Sequence, residues 1–208
     1  MSNNKTSEQQ KGIRNTVLFM LGMVVFVAFS LWYKMQQPVL IGDGALKAYG
    51  VYLFDTPRLV KPFTLVDKNA KPYSKSNLEG KWTFVFYGFT NCPDICPVTL
   101  SLFKSIQEQL DGTEVSGDTR FMMVSLDPAR DTPEKMKEYV EHFNPSFEGI
   151  TGEFLALHAF ATNVNVAFQK VLQKDDYTID HSGNIVLLND KGDYQGFIRP
   201  PFDAKKIV

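Results

Sequence analysis

Eighteen consecutive residues without a charged side chain, Thr16 to Tyr33 (TVLFMLGMVVFVAFSLWY), constrain this chain more than any other feature. At about 1.5 Å per residue, a helix of that length just crosses a hydrocarbon core of roughly 30 Å. The run reads as one transmembrane anchor over residues 16–33. A cleaved signal peptide or a buried core helix would also be apolar, but no Ala-x-Ala-like site or lipobox-like Cys follows. Trp32 and Tyr33 sit where an interfacial aromatic belt belongs. Lys5, Lys11 and Arg14 precede the run and only Lys34 follows it closely. This bias places a cytoplasmic tail at 1–15 and the rest of the chain across the membrane. The tail is polar but not an Arg-rich amphipathic transit peptide, which favours a bacterial inner membrane, a single pass and a periplasmic domain.

Beyond the anchor, residues 34–61 read as a tether with one or two edge strands, and residues 62–208 as one domain. With 44% hydrophobic and 22% charged residues, about 160 residues suffice for a single core. A net charge of −1, with no basic cluster interleaved with aromatics, excludes nucleic acid as a partner.

The domain reads as α/β. Phe63 to Asp67 alternates and meets the turn-like Lys68–Lys71, predicting a hairpin at the domain's edge. Trp82 to Gly88 (WTFVFYG) is a continuous apolar run of the kind buried on both faces of a sheet. Pro97 is placed to open the next helix, in which Leu100, Phe103, Ile106 and Leu110 recur at helical spacing. Arg120 to Leu126 predicts a second strand, and Thr132-Pro133 caps a helix over Glu134–Phe143. A helix near Phe154–Ala161, a strand near Phe168–Leu172, a loop over Lys174–Ser182 and a hairpin of Ile185–Leu188 with Tyr194–Ile198 complete the order. Parallel strands with crossover helices, followed by an antiparallel hairpin, predict a thioredoxin-like domain: a central mixed sheet flanked by helices.

Both cysteines of the chain lie in Asn91-Cys-Pro-Asp-Ile-Cys-Pro97, where a strand gives way to a helix. A helix N-terminus favours thiolate, the form that attacks disulfides and binds soft metals. A structural disulfide closing so short a loop would constrain little unfolded-chain entropy, so a chemical role is the stronger reading. Three residues separate the pair, one more than in thioredoxin-type reductases, which widens it toward a bite that closes on an ion.

A third ligand must come from elsewhere, and there are three histidines: His142, His158 and His181. His142 ends a helix, where a cation complements the dipole. His158 lies in Phe154-Leu-Ala-Leu-His-Ala-Phe160, apolar nearly all round, and reads as a packed histidine. His181, in Tyr177-Thr-Ile-Asp-His-Ser-Gly183, falls in the loop that a thioredoxin-like sheet brings against the cysteine turn. Two thiolates and one imidazole suit Cu(I), and Cu(II) if another oxygen or nitrogen joins; structural zinc wants four ligands. Asp180 or Asp127 is a candidate to orient the His181 ring.

Three ordered blocks, Gly88–Pro97, Ser125–Pro133 and Tyr177–Ser182, resemble the Sco/SenC family of thioredoxin-like copper proteins that serve cytochrome c oxidase assembly. The likeness runs from about Pro62 to Phe202. It implies that Cys92, Cys96 and His181 are copper ligands, while Asn91 stands where many members carry a histidine. It also implies a helix after Phe202, and a partner in the oxidase subunit that houses the dinuclear copper site. The role would be copper delivery or reduction of that subunit's cysteines, with other periplasmic copper chaperones or thiol reductases as further partners. The alternatives are a thiol-disulfide oxidoreductase or a redox sensor acting through Cys92 and Cys96. A peroxidase is less favoured, since such enzymes rely on a single peroxidatic Cys in another setting.

Overall fold

The computed structural model describes residues 3–35, 42–174 and 176–207. It divides into two compact units, Met1–Ile41 and Gly42–Val208.

The first unit is helix α1, Asn3–Met35. Its 24 residues from Gly12 to Met35 are long and apolar enough to cross a membrane, with side chains exposed throughout. The helix starts upstream of the apolar run because Glu8, Gln9, Gln10 and Lys11 are themselves good helix formers.

In the second unit the order is α2 (Asp43–Ala48), β1 (Val51–Arg58), β2 (Thr64–Asp67), β3 (Pro72–Ser74), β4 (Trp82–Gly88), α3 (Ile95–Leu110) and β5 (Thr119–Ser125). Then come α4 (Pro133–Phe143), β6 (Glu148–Thr151), α5 (Phe154–Asn163), β7 (Phe168–Leu172), β8 (Tyr177–His181), β9 (Ile185–Leu188), β10 (Tyr194–Ile198) and α6 (Ala204–Ile207). Eight strands form one mixed sheet in the order β1-β10-β9-β4-β5-β6-β2-β3. Strands β4, β5 and β6 are parallel, while β9 runs antiparallel to β4. The expected β2–β3 hairpin is at one edge and β1 at the other.

Strand β4 organises the packing. Val85 and Tyr87 face one core with Leu157 and Phe160 of α5; Phe84 and Phe86 face the other with Leu100 and Phe103 of α3 and Met136 and Val140 of α4. This is the central, doubly covered strand expected of an unbroken apolar run. Helix α4 starts as its sequence predicts, with Thr132 accepting a bond from the Lys135 N–H and Pro133 in the first turn.

Several points depart from the sequence reading, among them the helix α2 in a segment read as a tether with edge strands. Strand β6 lacks an apolar run; Gly149 lies under Met136, where a Cβ would come within 3.3 Å. Helix α3 opens at Ile95 rather than Pro97, so the proline stands inside the first turn, where its missing N–H leaves no bond unmade. Residues Tyr177–His181, expected within a loop, are a strand that pairs only with β7 as a separate two-stranded sheet. His158 is exposed, because α5 turns Leu157, Phe160 and Ala161 inward instead.

The buried Asp193 ties the β9–β10 turn to the rest of the unit. Its Oδ1 accepts from the Val60 N–H at 3.1 Å and from Lys75 Nζ at 2.5 Å. Burial alone would raise this carboxyl, but the Lys75 bond, the Val60 N–H and the Lys191 charge outweigh it and hold the pKa below its ordinary value. Asp193→Ala leaves the Val60 N–H unpaired, at an expected cost of about 1–3 kcal/mol at neutral pH. A depressed folded pKa stabilises above the ordinary carboxylate value of about 4 and loses that contribution as pH falls through the lowered one. Thermal unfolding of parent and variant should therefore differ most near neutrality and converge in strong acid; a constant gap would remove Asp193 as the source.

Candidate metal and thiol centre

The turn that carries the cysteines leaves the sheet at the carboxyl end of β4, beside the carboxyl end of β5. The Gly88 carbonyl accepts from the Leu126 N–H at 2.8 Å, and the Cys92 N–H donates to the Phe89 carbonyl at 3.2 Å. Cys96 is the second residue of α3 and fully buried, whereas Cys92 is half-buried. Both are free thiols. The Cys96 thiol lies against the strand end so closely that a Cβ on Gly88 would meet its Sγ at 2.7 Å and Phe86 at 2.8 Å. Glycine at 88 is therefore a condition for seating this cysteine.

Burial pushes the Cys96 pKa far above its ordinary value, and the neighbouring Cys92 thiol and Asp131 add to the rise. The helix N-terminus was expected to favour thiolate; at Cys96 desolvation overrides it.

Asp131, 1% exposed, holds the approach to Cys92. It accepts from the Thr90 N–H at 3.1 Å, from Thr90 Oγ1 at 2.6 Å and from Ser125 Oγ at 2.7 Å. Asn91, next in the chain, accepts from Lys135 Nζ at 2.7 Å. Sequence reading passed over Asp131, although it lies within the Ser125–Pro133 block. A second carboxylate four residues after Asp127 was the available signal.

His181 ends β8, its ring 5.9 Å from that of Phe86 and 6.3 Å from that of Phe89. The same Phe86–Phe89 segment carries Gly88 and leads into the cysteine turn. Burial lowers the imidazole pKa, against smaller opposing effects of the Ser182 carbonyl and Asp180. Nδ1 lies 3.1 Å from the Ser182 carbonyl. A carbonyl only accepts, so in the neutral ring Nδ1 carries the proton and Nε2 presents a lone pair. The partner of Nδ1 is thus a backbone carbonyl, and neither Asp180 nor Asp127 plays the orienting part expected of it at the ring itself.

Cys92 and Cys96 are brought together, and His181 is set against the same aromatic pair. Among the described residues no three His, Cys, Asp or Glu side chains are gathered tightly enough to hold a metal ion. His142 is exposed and stands edge-on to Phe143 at 5.3 Å. His158 lies beside Phe154 and Phe168, apart from the thiols.

These environments predict unequal thiols. Brief treatment of the reduced chain with iodoacetamide should alkylate Cys92 and spare Cys96 until the domain is denatured, as read by peptide mass. Gly88→Ala should expose Cys96 to the reagent, and equal labelling of both thiols in the parent would contradict the burial described.

The SCO1/SenC family model matches residues 54–208. A SCO2-like protein of Rickettsia prowazekii is 32% identical over 157 residues, covering 74% of this chain and 76% of its own length. The crystal structure of Arabidopsis thaliana ScoI with copper bound is similar, with a TM-score of 0.66 at 32% identity over 71% of this chain and 91% of that one. The solution structure of apo Sco1 from Thermus thermophilus has a TM-score of 0.69 at 29% identity, covering 77% and 93%. With its thioredoxin-like sheet and a match across the second unit, the chain belongs to the SCO1/SenC family.

Proposed function

We propose that this protein is a membrane-anchored copper chaperone. In this reading it delivers copper to the dinuclear copper site of cytochrome c oxidase during assembly, or prepares the cysteines of that site. Cys92, Cys96 and His181 hold the cargo, as three-coordinate Cu(I) or as Cu(II) with one further oxygen or nitrogen donor. The observation that carries this reading is His181: a neutral imidazole with Nε2 free, packed on Phe86 and Phe89, the segment that leads into the cysteine turn. Thiol exchange alone has no use for it. Copper-bound ScoI structures from Arabidopsis thaliana and Bradyrhizobium japonicum support the choice of metal. The charge bias around α1 supports a single-pass protein of a bacterial inner membrane, with residues 1–15 cytoplasmic and the thioredoxin-like domain periplasmic. Partners are the copper-site subunit of the oxidase and, upstream, periplasmic copper chaperones or thiol reductases.

The chemistry asked of the chain's residues is modest. Cys92 and Cys96 each give up a proton to bind soft metal as thiolates, and His181 binds without losing one. The buried position of Cys96 excludes water and oxidants from that sulfur.

One observation favours a second reading, as thiol-disulfide oxidoreductase or redox sensor: a half-buried free Cys92 close to a buried free Cys96. There Cys92 thiolate attacks one sulfur of a partner disulfide and a partner thiolate leaves. Cys96 then attacks the mixed disulfide, leaving the Cys92–Cys96 disulfide and a partner dithiol, two electrons having passed to the partner.

Anaerobic titration of the reduced, detergent-solubilised chain with Cu(I) against a competing chelator separates the two. We expect tight one-to-one binding, lost by more than about 100-fold in Cys92→Ser and in His181→Ala, since removing a ligand exceeds the 10–100-fold cost of removing its outer partners. Weak binding that ignores His181 would leave the oxidoreductase reading.

A further inference from the structure

Among the described residues, the hairpin that presents His181 shares no strand pairing with the main sheet. Its own register sets Phe168 opposite His181 at one end and Leu172 opposite Tyr177 at the other. Apolar contact holds the middle, through the buried Ile179. Within the hairpin Lys170 Nζ lies over the Tyr177 ring at 3.4 Å, and polar contact ties the Tyr177 end to the loop that follows β5. Tyr177 Oη donates to Asp127 Oδ1 at 2.8 Å, and Arg130 Nε donates to Asp127 Oδ2. The Arg130 guanidinium lies over the Tyr177 ring at 3.8 Å, while its Nη1 reaches the Tyr177 carbonyl at 3.3 Å and the Asp176 carboxylate at 3.2 Å.

The same loop holds the cysteine turn. The Asp127 N–H donates to Ser125 Oγ at 3.0 Å, Ser125 Oγ–H donates to Asp131, and Asp131 takes both the N–H and the hydroxyl of Thr90, two residues before Cys92. One continuous set of hydrogen bonds therefore runs from the hairpin through Asp127, Ser125 and Asp131 to the cysteine turn. Both carboxylates are almost wholly buried, at 3% and 1% exposure, and sinking two carboxylates into a protein is costly unless each is fully engaged. Here each is engaged by donors: Asp127 by Tyr177 Oη and Arg130 Nε, Asp131 by Thr90 and Ser125.

We infer that Arg130, with Asp127, is a positioning residue for His181: the clasp on Tyr177 sets where the hairpin holds the imidazole relative to Cys92 and Cys96. The inference rests on the copper reading proposed above and adds the residues that bring the third ligand into register. Arginine is required because one planar fork must bond a carboxylate through Nε, bond a carbonyl through Nη1 and stack its face on a ring, which an ammonium does not do. Sub-ångström placement of a donor matters at a site whose ligands are not yet closed on the ion.

Two measurements on Arg130→Gln and Arg130→Lys in the detergent-solubilised chain test it. In the copper-free protein, hydrogen exchange of the Tyr177–His181 amides should speed up at least about tenfold in both variants while β4 and β5 keep their protection. Cu(I) affinity should fall by about 10–100-fold when His181 is present, and Arg130→Gln should change nothing further in a His181→Ala background. Tyr177→Phe, which keeps the ring beneath the guanidinium but loses the Asp127 bond, should give a smaller effect in the same direction and serves if Arg130 variants fold poorly. Unchanged hairpin exchange overturns the clasp, and an equal Arg130 effect with and without His181 overturns the positioning role. Parent-like copper binding by His181→Ala instead overturns the copper reading itself, and the exchange data still decide whether the clasp exists.

Discussion

Covering β4 on both faces is the constraint from which the rest of the domain follows. A strand with Val85 and Tyr87 in one core and Phe84 and Phe86 in the other must lie in the middle of the sheet, with β9 and β5 as neighbours. Its chain can leave the layer only at the end, and it leaves at Gly88. In open α/β sheets, ligands gather outside the carboxyl ends of parallel strands because loops from neighbouring strands converge there. Here the two converging loops are the cysteine turn after β4 and the Ser125–Asp131 segment after β5. The hairpin bearing His181 closes over them from outside the sheet.

Much of this was legible from local pattern. The doubly buried strands announced themselves as unbroken apolar runs, the Thr132-Pro133 cap marked α4, and the runs Ile185–Leu188 and Tyr194–Ile198 marked the last hairpin. Sequence also singled out Cys92, Cys96 and His181, through their isolation in composition and their place at element ends; that they act together as ligands is a proposal. The misses have physical causes. Strand β6 is only four residues, Glu148–Thr151, and owes its place to parallel pairing with β5 that no local pattern encodes. Strand β8 mixes Thr178, Asp180 and His181 with Tyr177 and Ile179, a polar composition that reads as loop, and becomes a strand because β7 supplies a partner. His158 was assigned inward because α5 is apolar on nearly every side, and such a helix gives no moment from which to read its buried face.

Burial at this site moves acid and base groups toward the same condition. It raises the Cys96 thiol and lowers the His181 imidazole, so both of these groups are favoured in their uncharged forms. Their neutrality suits the apolar side chains of Phe86 and Phe89, which would oppose a standing charge.

Cys92 touches both hydrophobic cores, packing against the α5 side of the sheet and the α3–α4 side alike. A partner that draws this sulfur outward must separate it from apolar neighbours on two fronts at once, and each front regains its contacts when the partner departs. Excursions of Cys92 are therefore opposed by a restoring force. Apolar contact on both faces of the sheet thus favours the half-buried position of this sulfur over any position outside the turn.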